Sequence, residues 1–230
     1  MDQFSRRSCA ALMALFSAVA LTACGGGGDS PAPPPPAPVP VPPPPPPAPA
    51  DTAFATPASA TDTSEAGKIV SYSFAEKGGE LTPSAISYAS GVVGFSATLA
   101  GPQAFAGAAI RVYAPGDTGA APITPFNASG FTKLKIQLKS VSDGLLSIKL
   151  QPSPLAGDGC TATAAAIVDS TMSELVIDLT EAMFPLPSYC NGVGSKLGSV
   201  KAGLYAIDVI NGATVAGSHD LSVGTVKLAP

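Results

Sequence analysis

Between residues 31 and 50 the chain holds 14 prolines, with Ala and Val between them. Proline fixes φ and has no N–H to donate, so this run can join neither a helix ladder nor a sheet. It predicts an extended polyproline II rod, at about 3.1 Å per residue roughly 60 Å long over 20 residues. Gly25 to Gly28, just upstream, make a flexible joint. The polar stretch 51 to 66 (Asp51, Thr52, Pro57, Ser59, Thr61, Asp62, Thr63, Ser64) continues the linker in softer form. The rod reads as a spacer, the alternative being a ligand for a proline-recognising groove. Either way, residues on its two sides cannot share a core, and the downstream part must supply its own.

The upstream part is short. Arg6 and Arg7 precede Ala10 to Ala23, a stretch of small and apolar residues that includes Leu12, Met13, Leu15, Phe16, Val19 and Leu21. A spanning helix needs about 20 such residues. A signal-peptide core needs about 7–15 and ends at small residues, which this stretch does. Its end, Leu21-Thr22-Ala23-Cys24, resembles the lipobox of bacterial lipoproteins. That resemblance implies cleavage before Cys24, a diacylglycerol on its thiol and an acyl chain on its amine. Two or more chains are what stable anchoring requires. Members held in the inner membrane usually carry Asp after the cysteine; Gly25 stands there, which implies the outer membrane. The expected organisation is a signal peptide over 1–23, a lipidated Cys24 with linker to 66, and a folded domain over 67–230 in the cell envelope.

Composition removes several classes of function. A net charge of −4 with 12 Lys and Arg among 230 residues offers no basic stripe for phosphate neutralisation, so no nucleic-acid partner is expected. One His and four Cys exclude a His-rich metal centre. Cys9 leaves with the signal and Cys24 is taken by lipid. Cys160 and Cys190 remain, an even pair in an exported domain. Bridging them closes a loop of about 31 residues, worth roughly 3–4 kcal/mol in the chain-entropy model. Two free thiols are the alternative. A metal site from two Cys and a lone His lacks the ligand count.

The domain from 67 onward shows strand-like runs with turn residues between them: 68–74, 92–99, 108–113, 133–141, 145–151, 164–168, 174–179, 204–210 and 221–228. Long helical periodicity is absent; 180–184 and 195–200 read as single turns. This predicts an all-β fold, an antiparallel sandwich. In 133–151, Leu134, Ile136 and Leu138 alternate with Lys133, Lys135, Gln137 and Lys139, and Leu146, Ile148 and Leu150 alternate with Ser147, Lys149 and Gln151. One face of each run is buried and the other wet. Parity predicts a hairpin on a three-residue loop, Ser142-Asp143-Gly144, with Gly144 in the left-handed bulge position. That register sets Leu138 opposite Ile148 and Lys135 beside Gln151.

The order of segments also resembles a family. Gly94-Phe95-Ser96 is followed by Phe126 to Ile136, a strand ending near Cys160, Glu174 to Leu179 before a Pro-rich turn, and a closing Val223-Gly224-Thr225-Val226-Lys227-Leu228. Over roughly 68–230 this is similar to the galactose-binding-like jelly roll of some carbohydrate-binding modules. The resemblance implies a two-sheet sandwich with a face that holds an oligosaccharide, and it implies nothing catalytic. Two features depart from it. Such modules stack sugars on Trp or Tyr, and this chain has no Trp. Gly224 and Thr225 stand where the family often carries an acidic pair, so no metal and no cofactor are expected.

Sugar recognition needs flat apolar faces with amide, hydroxyl or charged groups beside them. The wet face of 133–151 offers Lys135, Gln137, Lys149 and Gln151, and Arg111 and Tyr113 lie on a neighbouring strand. Such a basic face suits an acidic polysaccharide. The competing reading is a solvated sheet face with Lys added for solubility and edge protection. Tyr205 alternates with Ile207 and Val209 and reads as core. His219-Asp220 could suggest hydrolysis, but no Gly-x-Ser-x-Gly elbow occurs, and His219 reads as a turn residue. Glu174, Asp178 and Glu181 read as surface carboxylates. The expectation is therefore a non-enzymatic, lipid-anchored envelope module whose partner is a polysaccharide. The second reading is a structural envelope lipoprotein that binds another protein, and the remote third is a hydrolase resting on His219.

Overall fold

The computed structural model describes residues 49–76, 81–101, 106–120, 122–157, 159–213 and 216–230. The signal segment, Cys24 and most of the proline run lie outside these residues. The strands are β1 (Thr52–Ala55), β2 (Ile69–Ala75), β3 (Leu81–Pro83), β4 (Ser87–Ala89), β5 (Val92–Leu99), β6 (Ala106–Tyr113), β7 (Lys133–Lys139), β8 (Leu145–Pro152), β9 (Thr163–Ile167), β10 (Ser173–Asp178), β11 (Leu204–Ala213) and β12 (Gly217–Ala229). A 3-10 turn covers Ser188–Cys190, and one short helix, α1, covers Leu197–Ala202.

Two antiparallel sheets form a sandwich. One runs β10-β7-β12-β5-β3, with β1 on β12 and β4 on β5; the other runs β2-β6-β11-β8-β9. The ladders β5–β12, β6–β11, β7–β10 and β8–β9 pair the chain's strands from the outside inward. Such nested pairing is a two-stranded ribbon wrapped around a core, which is how a jelly roll is made. Wrapping then adds the contacts β12–β7 and β11–β8. The inner faces interdigitate through Val93, Phe95 and Ala97 of β5, Leu134, Ile136 and Leu138 of β7, Ile110 and Val112 of β6, Leu146, Ile148 and Leu150 of β8 and Ile207 and Val209 of β11, all buried.

The hairpin expected over 133–151 does not form. β7 and β8 lie in opposite sheets, so their leucines and isoleucines face one another across the core instead of side by side. The alternation was read correctly, since each strand buries its apolar face. Alternation fixes which side of a strand is wet, but not its neighbour. The 140–143 link is an arch between sheets held by Asp220. Its Oδ1 accepts from Ser142 N at 2.7 Å and Ser142 Oγ at 2.6 Å, and both carboxylate oxygens accept from Val141 N. Gly144 does not take a positive φ.

The domain also starts earlier than residue 67. β1 pairs with the end of β12, placing Thr52 opposite Leu228, and Phe54 and Ala55 are fully buried. The next turn is tied by Glu65, whose carboxylate accepts from Thr56 N and Oγ1 at 2.6 and 2.8 Å. Polar composition suggested linker here, and a four-residue strand is too short to display its period.

Candidate binding face

The five-stranded sheet has one wet face, and its register sets what lies there. Arg111 on β6 stands opposite Val70 on β2 and Asp208 on β11, and Asp208 stands opposite Lys149 on β8, which stands opposite Thr163 on β9. One row of five side chains therefore crosses the sheet. The adjoining rows on this face carry Tyr72, Ala109, Ile210, Ser147 and Ala165 on one side of it, and Tyr113, Ala206 and Gln151 on the other. Tyr72 and Tyr113 thus flank the central polar groups.

Asp208 is the hub of that row. Its side chain is 2% exposed. Oδ1 accepts from Arg111 Nε at 2.6 Å; Oδ2 accepts from the Arg111 guanidinium at 2.8 Å, Gln151 Nε2 at 2.8 Å and Tyr72 Oη at 3.0 Å. The bidentate pair is the strong form of a charge-assisted bond. The guanidinium also lies 5.3 Å from the centre of the Tyr72 ring, within cation–π range. Burial works against the charge on Arg111, but its bonds to Asp208 outweigh that and hold its pKa above the ordinary value. Burial first, and then the negative Asp208, push the Tyr72 phenol up as well. Arg111 and Tyr72 therefore keep one protonation state across the physiological range. Oε1 of Gln151 is buried and has no hydrogen-bond partner among the described residues.

At the β8 side of the polar row Tyr189 stands up from the 3-10 turn, 60% exposed. Lys149 Nζ donates to its Oη at 3.1 Å, and Oη donates to the Gly159 carbonyl at 3.1 Å. Gly159 sits at φ 69°, and a Cβ there would lie 2.9 Å from Lys149 Nζ, so glycine makes room for the contact. The Cys160–Cys190 disulfide, with Cα atoms 5.5 Å apart, ties the residues following Gly159 and Tyr189 together. Beside it a cavity of about 410 Å³ opens between β8, β9 and the 182–187 turn, lined by Ser147, Thr163, Ala165, Met183, Pro185 and Pro187.

Of the residues singled out from sequence, Arg111, Lys149 and Gln151 come together here. Tyr113 is on the same face but only 8% exposed, with its ring against Tyr205 and with Ile123 and Leu155 over the pair. It flanks the polar row rather than offering a free ring. Tyr205 is buried, as its alternation indicated, in this small cluster outside the main core. Lys135 and Gln137 are not part of the face, because β7 belongs to the other sheet. Lys135 pairs with Asp51 at 2.7 Å. Gln137 Oε1 accepts from Thr225 N at 3.1 Å, satisfying an amide in the β12 bulge between Val223 and Val226. Sequence reasoning missed Asp208, Tyr72 and Tyr189. Asp208 carried a signal, since an acid within the apolar run 204–210 must be paired if buried.

His219 is not in a turn. It lies within β12, 3% exposed, with Nδ1 2.9 Å from Asp143 Oδ2. Glu174, Asp178 and Glu181 are exposed, and Asp178 meets Lys133 at 3.1 Å. Among the described residues no three His, Cys, Asp or Glu side chains are grouped to hold a metal ion.

No protein-family model and no curated protein sequence matches the chain. Solved structures do resemble it. The family 11 carbohydrate-binding module of a cellulosomal cellulase of Clostridium thermocellum is 15% identical, with 78% of this chain and 94% of that one covered at a TM-score of 0.46. The same module in complex with a β-1,3-1,4-mixed-linked tetrasaccharide is matched over 77% and 96% at 15% identity and a TM-score of 0.43. A glycoside hydrolase domain, Endo-D of Streptococcus pneumoniae R6, is 14% identical, with 71% of this chain and 22% of that one covered at 0.41. At these scores the likeness is loose.

Proposed function

We propose that this is a non-catalytic envelope module, anchored by lipid on Cys24 in the outer membrane and raised on its proline rod, that holds carbohydrate on the outer face of the five-stranded sheet. The observation that carries the reading is the knot on Asp208. Four groups from β2, β6, β8 and β11 are fixed by one another on this face. Polar groups fixed before binding cost little to order when a ligand arrives. The exposed Tyr189 ring is an aromatic surface for a pyranose. Lys149 adds a positive charge that Asp208 does not cancel, which favours a glycan bearing acidic groups.

Affinity electrophoresis of the purified protein in gels containing soluble neutral or acidic polysaccharides tests this. Retardation is expected with at least one acidic polymer, and Tyr189→Ala should abolish it while leaving the far-UV circular dichroism unchanged. Migration unaffected by every polymer would refute the carbohydrate reading. Labelling cells with a radioactive fatty acid tests the anchor separately: Cys24→Ala should lose both the label and the membrane fractionation.

A second reading has one observation in its favour. Leu145 and Ile167 face each other across β8 and β9 and are 55% and 79% exposed, an apolar pair suited to a protein partner. Cross-linking in native membranes separates the two readings, because one dominant protein adduct would support the second.

A further inference from the structure

On the opposite side of the sandwich, β4, β5, β7 and β12 leave a cleft that the reading above does not use. We propose that it is a second ligand site, taking a single anionic sugar unit. Its floor is Gly94. Ser87 on β4 and Ser222 on β12 stand opposite Gly94 on its two sides, and Lys139 on β7 stands opposite Ser222. A Cβ on Gly94 would lie 2.8 Å from Ser87 Oγ and 3.4 Å from Ser222 Oγ, so both hydroxyls lean over the space that glycine leaves open. Two adjoining cavities, of about 280 and 200 Å³, share Ser87, Gly94 and Ser222.

Ser87 Oγ donates to the Gly94 carbonyl at 3.2 Å, whereas the hydroxyl of Ser222 stays available. Ser222 is only 8% exposed, yet it lines both cavities, and no described residue hydrogen-bonds its hydroxyl. A hydroxyl that lines a cavity and has no protein partner is free to bond a ligand hydroxyl. Lys139 likewise has no acidic partner among the described residues, unlike Lys133 and Lys135 on the same strand face, which meet Asp178 and Asp51. The cleft is polarised. Lys139 and the Met172 side chain bound one end; Ser84, Ser96 and Asp220 bound the other. An ammonium at one end suits a carboxylate or phosphate, and hydroxyls beside a carboxylate at the other suit sugar hydroxyls. Both acidic-sugar chemistries fit the same groups.

The test is a titration of isotopically labelled, detergent-solubilised full-length protein, followed by amide NMR. The probes are galacturonate, glucose 6-phosphate and, as the uncharged control, galactose. The amides of Gly94, Lys139 and Ser222 should shift with one or both anionic probes while those of Asp208 and Lys149 stay in place. Binding by galacturonate or by glucose 6-phosphate identifies the anion. Lys139→Met should weaken binding about tenfold, the loss of one charge-assisted contact. Gly94→Ala, which fills the floor, should abolish it. Lys133→Met removes an equal charge from the same strand and should leave affinity as it was. No shift with either anion would overturn the proposal, as would equal affinity in Lys139→Met or shifts confined to Asp208 and Lys149. The outcome is independent of whether the five-stranded face binds any polymer.

Discussion

The two outer faces of this sandwich use charge in opposite ways. On the five-stranded sheet, Arg111 and Asp208 are tied to each other and to Tyr72 and Gln151, largely out of water. On the seven-stranded sheet two of the β7 lysines are singly paired, Lys133 with Asp178 and Lys135 with Asp51, at contacts open to solvent, and Lys139 meets no acid among the described residues. Both faces alternate polar with apolar residues, so amphipathicity alone does not distinguish them. Mutual fixation does: a buried knot is a preorganised surface, whereas dispersed lysines keep a sheet soluble and unattractive to other strands.

The sharpest way to break the contrast is Asp208→Ala. It strands the Arg111 guanidinium in a mostly buried site, and removing one partner of such a pair costs about 3–5 kcal/mol. Urea unfolding should show that loss as a lower midpoint. The double variant Asp208→Leu with Arg111→Met should recover most of the stability, because no uncompensated charge remains, while binding to any polysaccharide stays lost. Equal stabilities for the single and double variants would show that the knot is not a coupled unit.

Next in size is the disulfide. The chain-entropy estimate for removing Cys160–Cys190 in the Cys160→Ala/Cys190→Ala variant is about 3–4 kcal/mol, read from the same unfolding curves. The loss should be accompanied by a local change, since Tyr189 precedes Cys190 and its hydroxyl bond to Gly159 precedes Cys160. Polysaccharide affinity should fall further than in a variant equally destabilised on the other sheet.

The sequence carried more of the fold than of the site. Nine strands were visible because each is long enough to show a period of two, and the cysteine pair followed from counting. β1, β3 and β4 have four, three and three residues, too few for any period. The misplaced β7–β8 hairpin has a physical source: a short polar link with glycine suits a tight turn, but Asp220, 78 residues away from Ser142, makes it an arch. A jelly roll sends these strands to opposite sheets, so the expected architecture and the expected hairpin were incompatible from the start. Arg111, Lys149 and Gln151 were legible as outward polar residues. Their convergence was not, because it depends on β11 running between β6 and β8 and bringing Asp208 to both.

That arch supplies a smaller test, and one with a pH signature. Burial tends to raise the Asp220 pKa, but the bonds from Ser142, Val141 and Ser140 outweigh it and hold the carboxyl below the usual aspartate range. A group depressed in the folded state stabilises it above the unfolded pKa, and that contribution is lost as pH falls through the folded value. Asp220→Asn should cost about 1–2 kcal/mol at pH 7, discounted for partial exposure. Its stability should also vary less than the parent's between pH 5 and pH 2, as followed by thermal unfolding. A parallel pH profile in parent and variant would remove Asp220 as the clasp.

The smallest effect belongs to Lys135→Met, and its smallness is the point. Lys135 reaches Asp51 at 2.7 Å, which holds its ammonium pKa above the usual value, chiefly through that hydrogen bond. A raised cation would stabilise the fold below the unfolded lysine pKa and cease to do so as pH climbs through the folded one. The contact is solvent-exposed, however, and water screens it while two long side chains lose rotamer freedom to form it. The urea midpoint of Lys135→Met should therefore match the parent's at neutral pH and remain matched in high salt. A clear drop would mean that Asp51, just after the proline-rich run in sequence, is clamped to the sheet as firmly as Arg111 is to Asp208. The contrast between a knotted face and a dispersed one would then have to be abandoned.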